Sequence, residues 1–456
     1  MKVLLTSFAM DAHFNGSVPL AWALRAAGHE VRVASQPSLT GSITAAGLTA
    51  VPVGADHRLD EMVKGVGDSV LSHHADQSLD PDEPGQLTPA FLKGWDTMMT
   101  ATFFTLVNDD PMVDELVAFA RDWEPDLVLW EPFTFAGAVA ARATGAAHAR
   151  LLSFPDLFMS MRRAFLAQIG ADPAADGGAA GMSGMSGTSG ADGRAHPEDS
   201  LGQWLEWTLG RHGLSFDEEA VTGQWSVDQV PRSFRPPSDG PTVGMRYVPY
   251  NGPVPAVVPD WLRVPPTRPR VCVTLGLTAR TSEFPNAVPV DVVLKAVEGL
   301  DIEVVATLDA QERALLTHVP ENVRLVDHVP LHALLPTCSA IVHHGGAGTW
   351  STALVEGVPQ IAMGWIWDAI DRARRQQELG AGLHLPSHDV TVEGLRSRLV
   401  RVLEEPSFAT AAARLRAEAE AEPTPARIVP VLERLTAQHR AHGGLRPGGV
   451  SAACAS

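Results

Sequence analysis

Short apolar runs alternate with helix-period segments twice along this chain, and a stretch rich in Pro and Gly lies between the two series. In the first series, residues 3–7 form an apolar strand. Leu20, Ala23, Leu24 and Ala27 then recur at helical spacing over 18–27, with Pro19 in the first turn and Gly28 at the stop. Strands are expected at 31–34, 126–130 and 150–154, with a small-residue helix at 136–143 before the last of these. The second series runs strand 271–275, helix 288–300, strands 303–306 and 323–326, short helix 332–336 and strand 340–343. It continues with a helix from Thr349, strand 359–363 and helix 371–379, stopped by Gly380. Such alternation implies parallel strands with crossover helices. The fold class is therefore α/β, with two doubly wound domains facing each other across a cleft at the carboxyl ends of their strands.

A chain of 456 residues is too long for one ordinary core, in agreement with two domains. The expected boundaries are 1–235 for an acceptor-binding domain, 236–265 for a linker, 266–440 for a donor-binding domain and 441–456 for a disordered tail. Residues 170–193 are almost all Ala, Gly, Ser, Asp and Met, too poor in apolar surface to repay ordering, so a disordered loop is expected there. The segment 86–123 carries Phe91, Trp95, Met98, Met99, Phe103, Phe104 and Met112. It serves equally as core helices or as the lining of an apolar acceptor cleft.

The formal net charge of -18 argues against nucleic acid as a partner, because phosphate contacts need clustered Lys and Arg. No apolar run reaches roughly 18 residues, so no membrane span is expected, and the opening apolar run is too short for a signal peptide. The three cysteines, Cys272, Cys338 and Cys454, are odd in number and lack metal-ligand spacing. The expectation is a soluble cytoplasmic protein without disulfides or a metal site.

The strongest local signal is the run from Val342 through His343, His344, Gly345, Gly346, Ala347 and Gly348 to Thr349, which leaves a strand and opens a helix. Glycines there let backbone N–H groups approach an anion, and the helix dipole adds positive potential. The pattern is neither G-x-G-x-x-G nor a Walker loop, which removes support from dinucleotide redox chemistry and ATP hydrolysis. Asp368 is expected in the turn before the helix at Asp371, as an acceptor for sugar hydroxyls or as a helix cap. In the first series, His13 follows the first strand and Glu131 ends the strand 126–130, so both belong to one rim of the cleft. Histidine suits proton removal from an alcohol near neutral pH, and a carboxylate beside it would fix its tautomer. By position alone, His13 is equally a surface-loop histidine and Glu131 a capping carboxylate.

At these residues the chain resembles the glycosyltransferases that decorate actinobacterial macrolides and related polyketides, members of the two-domain GT-B class built from two Rossmann-like halves. The resemblance covers nearly the whole chain. It is most specific at residues 6–29 with His13, at 126–135, at 329–336 running into 343–349, and at Trp367-Asp368. It is closest to the transferases of aminodeoxysugars such as desosamine or mycaminose. It implies His13 as general base and Glu131 as the carboxylate that orients it. It assigns donor binding to Thr278, Val329, His344, Gly346, Ala347, Gly348, Thr349 and Asp368, with Val329 meeting the pyrimidine base. Ala369 stands where relatives that use ordinary hexoses carry glutamine, a departure that suits a deoxygenated sugar.

The implied partners are a dTDP-deoxysugar and a macrolactone or related polyketide acceptor, with no metal and no other cofactor. A cytochrome-P450-like helper protein and a homodimer are further partners the family suggests. Three rivals are weighed at this stage: a nucleotide-sugar epimerase of the same fold, which would not need the apolar acceptor lining suggested by 86–123, a self-resistance transferase that inactivates a macrolide with UDP-glucose, and, last, a non-catalytic partner of another transferase. The last would be expected to lose the base or the glycine run, and this chain retains both.

Overall fold

The carboxyl ends of two parallel sheets carry almost every residue singled out above. The structure is a computed structural model that describes residues 1–59, 61–62, 79, 87–170, 194–238, 240–250, 252, 257–275, 289–314, 316–364, 367–386 and 389–443. The first sheet holds β1 (Lys2–Thr6), β2 (Glu30–Ser35), β3 (Thr49–Pro52), β4 (Leu127–Trp130), β5 (Ala147–Leu152), β6 (Trp225–Asp228) and β7 (Thr242–Gly244), in the order β3-β2-β1-β4-β5-β6-β7. The second holds β8 (Arg270–Thr274), β9 (Glu303–Thr307), β10 (Val323–Val326), β11 (Ala340–His343), β12 (Gln360–Ala362) and β13 (Gly382–His384), in the order β10-β9-β8-β11-β12-β13. All strand pairs are parallel. Each order reverses once, between β1 and β4 and between β8 and β11, and crevices for ligands open at such reversals.

The strands are apolar on both faces because helices cover both. Leu4, Val128 and Trp130 join one core cluster, while Val3, Leu5, Leu127 and Leu129 join another, as the two-residue period of a strand requires. The helix Val18–Ala26 buries Val18, Leu20, Ala21 and Leu24 against the second of these clusters. Most of the aromatic and Met side chains of 86–123 belong to the first: Trp95, Met99, Phe103, Phe104 and Met112 are buried core, and Phe91 and Met98 pack half-buried at its edge.

Several elements differ from expectation. The strand expected at 150–154 is Ala147–Leu152, and the helix expected from Thr349 is Ala347–Glu356. The helix after β12 begins at Asp368 rather than Asp371, so Asp368 is its first residue and not part of the preceding turn. The last helix, Pro425–Gly443, leaves the second half of the chain and lies on the first sheet, where Ile428, Val429 and Leu432 are buried among Leu20, Leu24 and Val227. Residues 171–193 of the expected loop and 444–456 of the expected tail lie outside the described residues, as does Thr278, whereas 441–443, expected in the tail, belong to the last helix. Among the described residues no helix is long and apolar enough to cross a membrane. Cys272 and Cys338 are free, and burial raises both thiols, the latter to about 12, so they serve packing rather than chemistry.

Candidate active site

His13 lies on the short helix Asp11–Phe14 that follows β1, and Glu131 immediately follows β4, so the two flank the reversal of the first sheet. The structure joins them: His13 Nδ1 is 2.8 Å from Glu131 Oε1. The other carboxylate oxygen accepts from the Phe133 N–H and the Thr134 hydroxyl, each at 3.0 Å. Thr134 Oγ1 in turn accepts the Phe8 N–H at 2.9 Å, which ties the β4 loop to the β1 loop. Glu131 is buried, with a side chain 5% exposed, and His13 is 17% exposed. With Nδ1 facing the carboxylate, a neutral His13 ring donates from Nδ1 and keeps its lone pair on Nε2.

Aromatic side chains surround this imidazole. Its ring centroid is 4.5 Å from Phe8, 6.0 Å from Phe133 and 5.9 Å from Phe154. Phe103 contacts Phe8 and Phe133 edge-on at 5.6 and 5.5 Å. It sits in a π-helical turn, Thr100–Phe104, that interrupts the long helical segment of the first half. Phe103 also meets Trp367 of the second half, edge-on at 6.0 Å. Trp367 directly precedes Asp368, so a chain of ring contacts runs from His13 through Phe8 and Phe103 to the residue before Asp368. Trp367 has φ 54 and ψ -140, a strained backbone for a tryptophan and a feature common at ligand sites.

The glycine run lies after β11, at the reversal of the second sheet. Gly346 caps the helix Ala347–Glu356 with extended backbone and no side-chain cap. The N–H groups of Ala347, Gly348 and Thr349 thus form the open first turn, with the positive end of the dipole behind them. The His344 ring lies over Gly346 so closely that an added Cβ would stand 2.5 Å from its Nε2. Tyr247 OH donates to Gly348 O at 3.4 Å. The Val329 side chain is buried with Leu334 and Leu335, which leaves its backbone as the part able to meet a base. Among the described residues no group of three or more His, Cys, Asp or Glu side chains is arranged to hold a metal ion.

Residues 22–276 match the family described as erythromycin biosynthesis protein CIII-like, N-terminal domain, and residues 291–435 match the corresponding C-terminal domain. The chain belongs to this glycosyltransferase family. It is 86% identical over 99% of both chains to the aklavinone 7-beta-L-rhodosaminyltransferase of Streptomyces galilaeus. It is 51% identical to the TDP-daunosamine transferase DnrS of Streptomyces peucetius, covering 97% of this chain and 99% of that one. Among solved structures, the glycosyltransferase VinC in complex with dTDP is similar with a TM-score of 0.80 and 40% identity, over 96% of this chain and all of that one.

In this CIII-like glycosyltransferase two supports of the glycine run went unread in the sequence: the role of His343, itself part of the run, and Arg372. His343 is fully buried. Its Nδ1 accepts the Gly345 N–H at 3.0 Å and its Nε2 donates to Gln360 at 2.9 Å, and burial lowers its pKa to about 3. It is a neutral brace that shapes the loop. Arg372, one helical turn after Asp368, bridges Asp368 and the carbonyl of Gly345. The signal for it was the acid–base spacing of four residues, which reads as a helix pair only once the helix is known to begin at Asp368.

Proposed function

We propose that this glycosyltransferase moves an aminodeoxysugar from dTDP onto a hydroxyl of a tetracyclic aromatic polyketide of the aklavinone type, with inversion at the anomeric carbon. The observation that carries the reading is the His13–Glu131 pair, packed on the buried rings of Phe8 and Phe133 with the half-buried ring of Phe154 beside it. Aromatic side chains suit a fused-ring aglycone, which offers faces and edges for offset and edge-on packing. The rhodosaminyl relative, so similar along the whole chain, favours that acceptor within the class of macrolactones and related polyketides expected from sequence.

His13 is the general base. Its Nε2 takes the proton of the acceptor hydroxyl as that oxygen attacks the anomeric carbon, and Glu131 stabilises the imidazolium. A C–O bond forms on one face of the sugar while the bond to the diphosphate breaks on the other, and dTDP leaves with the electron pair. The first-turn amides of Ala347, Gly348 and Thr349, the Gly346 cap and His344 hold the leaving diphosphate, the task otherwise given to a divalent cation. Backbone groups of Val329, together with Thr278, belong to the nucleotide end, and Asp368 accepts from the sugar.

Product analysis tests the reading. The purified protein, with and without a cytochrome-P450-like helper, is given dTDP-aminodeoxysugars and either an aklavinone-type tetracycle or a macrolactone, in the presence of a chelator. The expected product is the tetracycle carrying one sugar with inverted anomeric configuration, its yield unaffected by the chelator and raised by the helper. Preference for the macrolactone, or activity that returns only with a divalent ion, would overturn it.

A further inference from the structure

Arg372 is one of the most buried charged side chains in the second half, 3% exposed, and it lies between two parts of the donor site. Its Nε donates to Asp368 Oδ2 at 2.6 Å, and one terminal nitrogen donates to Gly345 O at 2.8 Å. The guanidinium lies 5.3 Å from the ring of Trp350, a residue of the helix Ala347–Glu356. Its remaining terminal nitrogen is buried and meets no acceptor among the described residues. The guanidinium fork thus fastens the head of the helix Asp368–Glu378 to the loop before the phosphate-side helix. Arg is the residue type able to hold two acceptors in fixed relative directions.

This arrangement has a cost and a consequence. A buried cation with an unused N–H is weak as a source of stability, and an apolar side chain of similar volume often serves stability as well or better. Stability alone therefore does not account for an arginine here. The consequence concerns Asp368, whose side chain is 24% exposed. Arg372 takes one of the lone-pair sites of Asp368 and fixes the direction of the carboxylate, so fewer sites remain to accept from a ligand. The next residue, Ala369, brings no hydrogen-bonding side chain.

We propose that Arg372 is a positioning residue that sets donor specificity: by taking one acceptor site of Asp368 and fixing the carboxylate against Gly345, it leaves Asp368 fewer acceptor sites for the sugar and so favours sugars with few hydroxyls. This rests on the donor site assigned under the proposed function. A hydroxyl-rich sugar loses its water partners in such a pocket and finds too few replacements, and an unpaired buried hydroxyl is costly. A deoxysugar has fewer groups to satisfy.

The test uses the full-length protein with Arg372→Met and Arg372→Lys, and two donors with the same nucleotide. One is the dTDP-aminodeoxysugar, and the other is dTDP-L-rhamnose, with hydroxyls at C2, C3 and C4. The readouts are the ratio of kcat/KM for rhamnose to that for the aminodeoxysugar, and the Kd of dTDP alone by calorimetry. Releasing Asp368 should raise the ratio about tenfold in Arg372→Met, the effect of about one hydrogen bond. Lysine keeps the charge but lacks the fork, so Arg372→Lys should hold dTDP with about the wild-type Kd and still show the raised ratio. A merely structural residue would lower both kcat/KM values together and leave the ratio alone. An unchanged ratio in Arg372→Lys overturns the proposal, and that variant decides alone if Arg372→Met does not fold. Failure of the wild-type protein to bind dTDP would instead overturn the donor-site reading beneath it.

Discussion

His13 and Glu131 form one device, and their substitutions should not add. His13→Ala removes the proton acceptor and should lower kcat by about 10²–10⁴-fold with the Kd of dTDP unchanged. Glu131→Gln preserves the shape of the loop but cannot stabilise an imidazolium, and it can present an N–H to Nδ1 and so reverse the tautomer. Once His13 is gone Glu131 has nothing to orient, so the double variant should be about as slow as His13→Ala alone. Effects that multiply in steady-state kinetics would show that the residues act separately. Both positions were legible in the sequence because each follows an apolar strand, and strand ends share a rim. Their pairing was expected from the shared rim and from the resemblance; the 2.8 Å contact itself spans 118 residues and depends on β1 lying beside β4. Arg372, by contrast, was hidden. Trp367 and Asp368 carry no Pro or Gly to mark a boundary, and the helix start therefore fell three residues late.

The phosphate-side element is built by close approach. Gly346 has φ -60 and ψ 139, which alanine adopts without strain, so any demand for glycine here comes from space alone. An added Cβ would meet the His344 ring, 2.5 Å from Nε2 and 2.9 Å from Cε1. Gly346→Ala must therefore displace that ring from the helix N-terminus, and we expect the Kd of dTDP to rise about tenfold, some 1.4 kcal/mol. His344→Ala should weaken dTDP as well. In the double variant the methyl group meets no ring, so the Gly346→Ala penalty should largely vanish, a coupling that a double-mutant cycle in calorimetry reads directly. An undiminished penalty would mean that the loop backbone, and not the imidazole, responds to the methyl. The glycine run was plain in the sequence. The helix start at Ala347 was not, because Ala-Gly-Thr after two glycines looks like loop until the extended Gly346 is seen to cap it. The brace beneath, in which His343 joins the Gly345 amide to Gln360, was equally invisible, since it depends on β11 lying beside β12.

At the scale of the whole molecule, chain order and spatial order part company at the end. The pattern of the sequence groups everything from 266 to 440 with the second sheet, because helices usually pack on the strands they follow. The helix Pro425–Gly443 instead crosses to the first sheet. Its Leu432 is fully buried with Ile428 and Val429 against the helix Val18–Ala26. His439 packs on Trp225 at 5.1 Å, Glu433 pairs with His29 at 3.1 Å, and Arg440 pairs with Asp126. The crossing covers apolar surface of the first half with a segment that follows the second in sequence, so the two halves cannot be separated cleanly near residue 265. Leu432→Ala should cost about 2–5 kcal/mol, the range for a fully buried leucine. That loss should fall on the first half. At the proposed site, dTDP bound at the glycine run would stabilise the second half by mass action, so in calorimetry it should raise one unfolding transition and leave the other in place. Leu432→Ala should lower the transition that dTDP does not raise, while the Kd of dTDP measured well below melting stays at the wild-type value. If the substitution instead lowers the dTDP-sensitive transition, the last helix stabilises the donor half after all, and the covering of the first sheet is not what holds that half together.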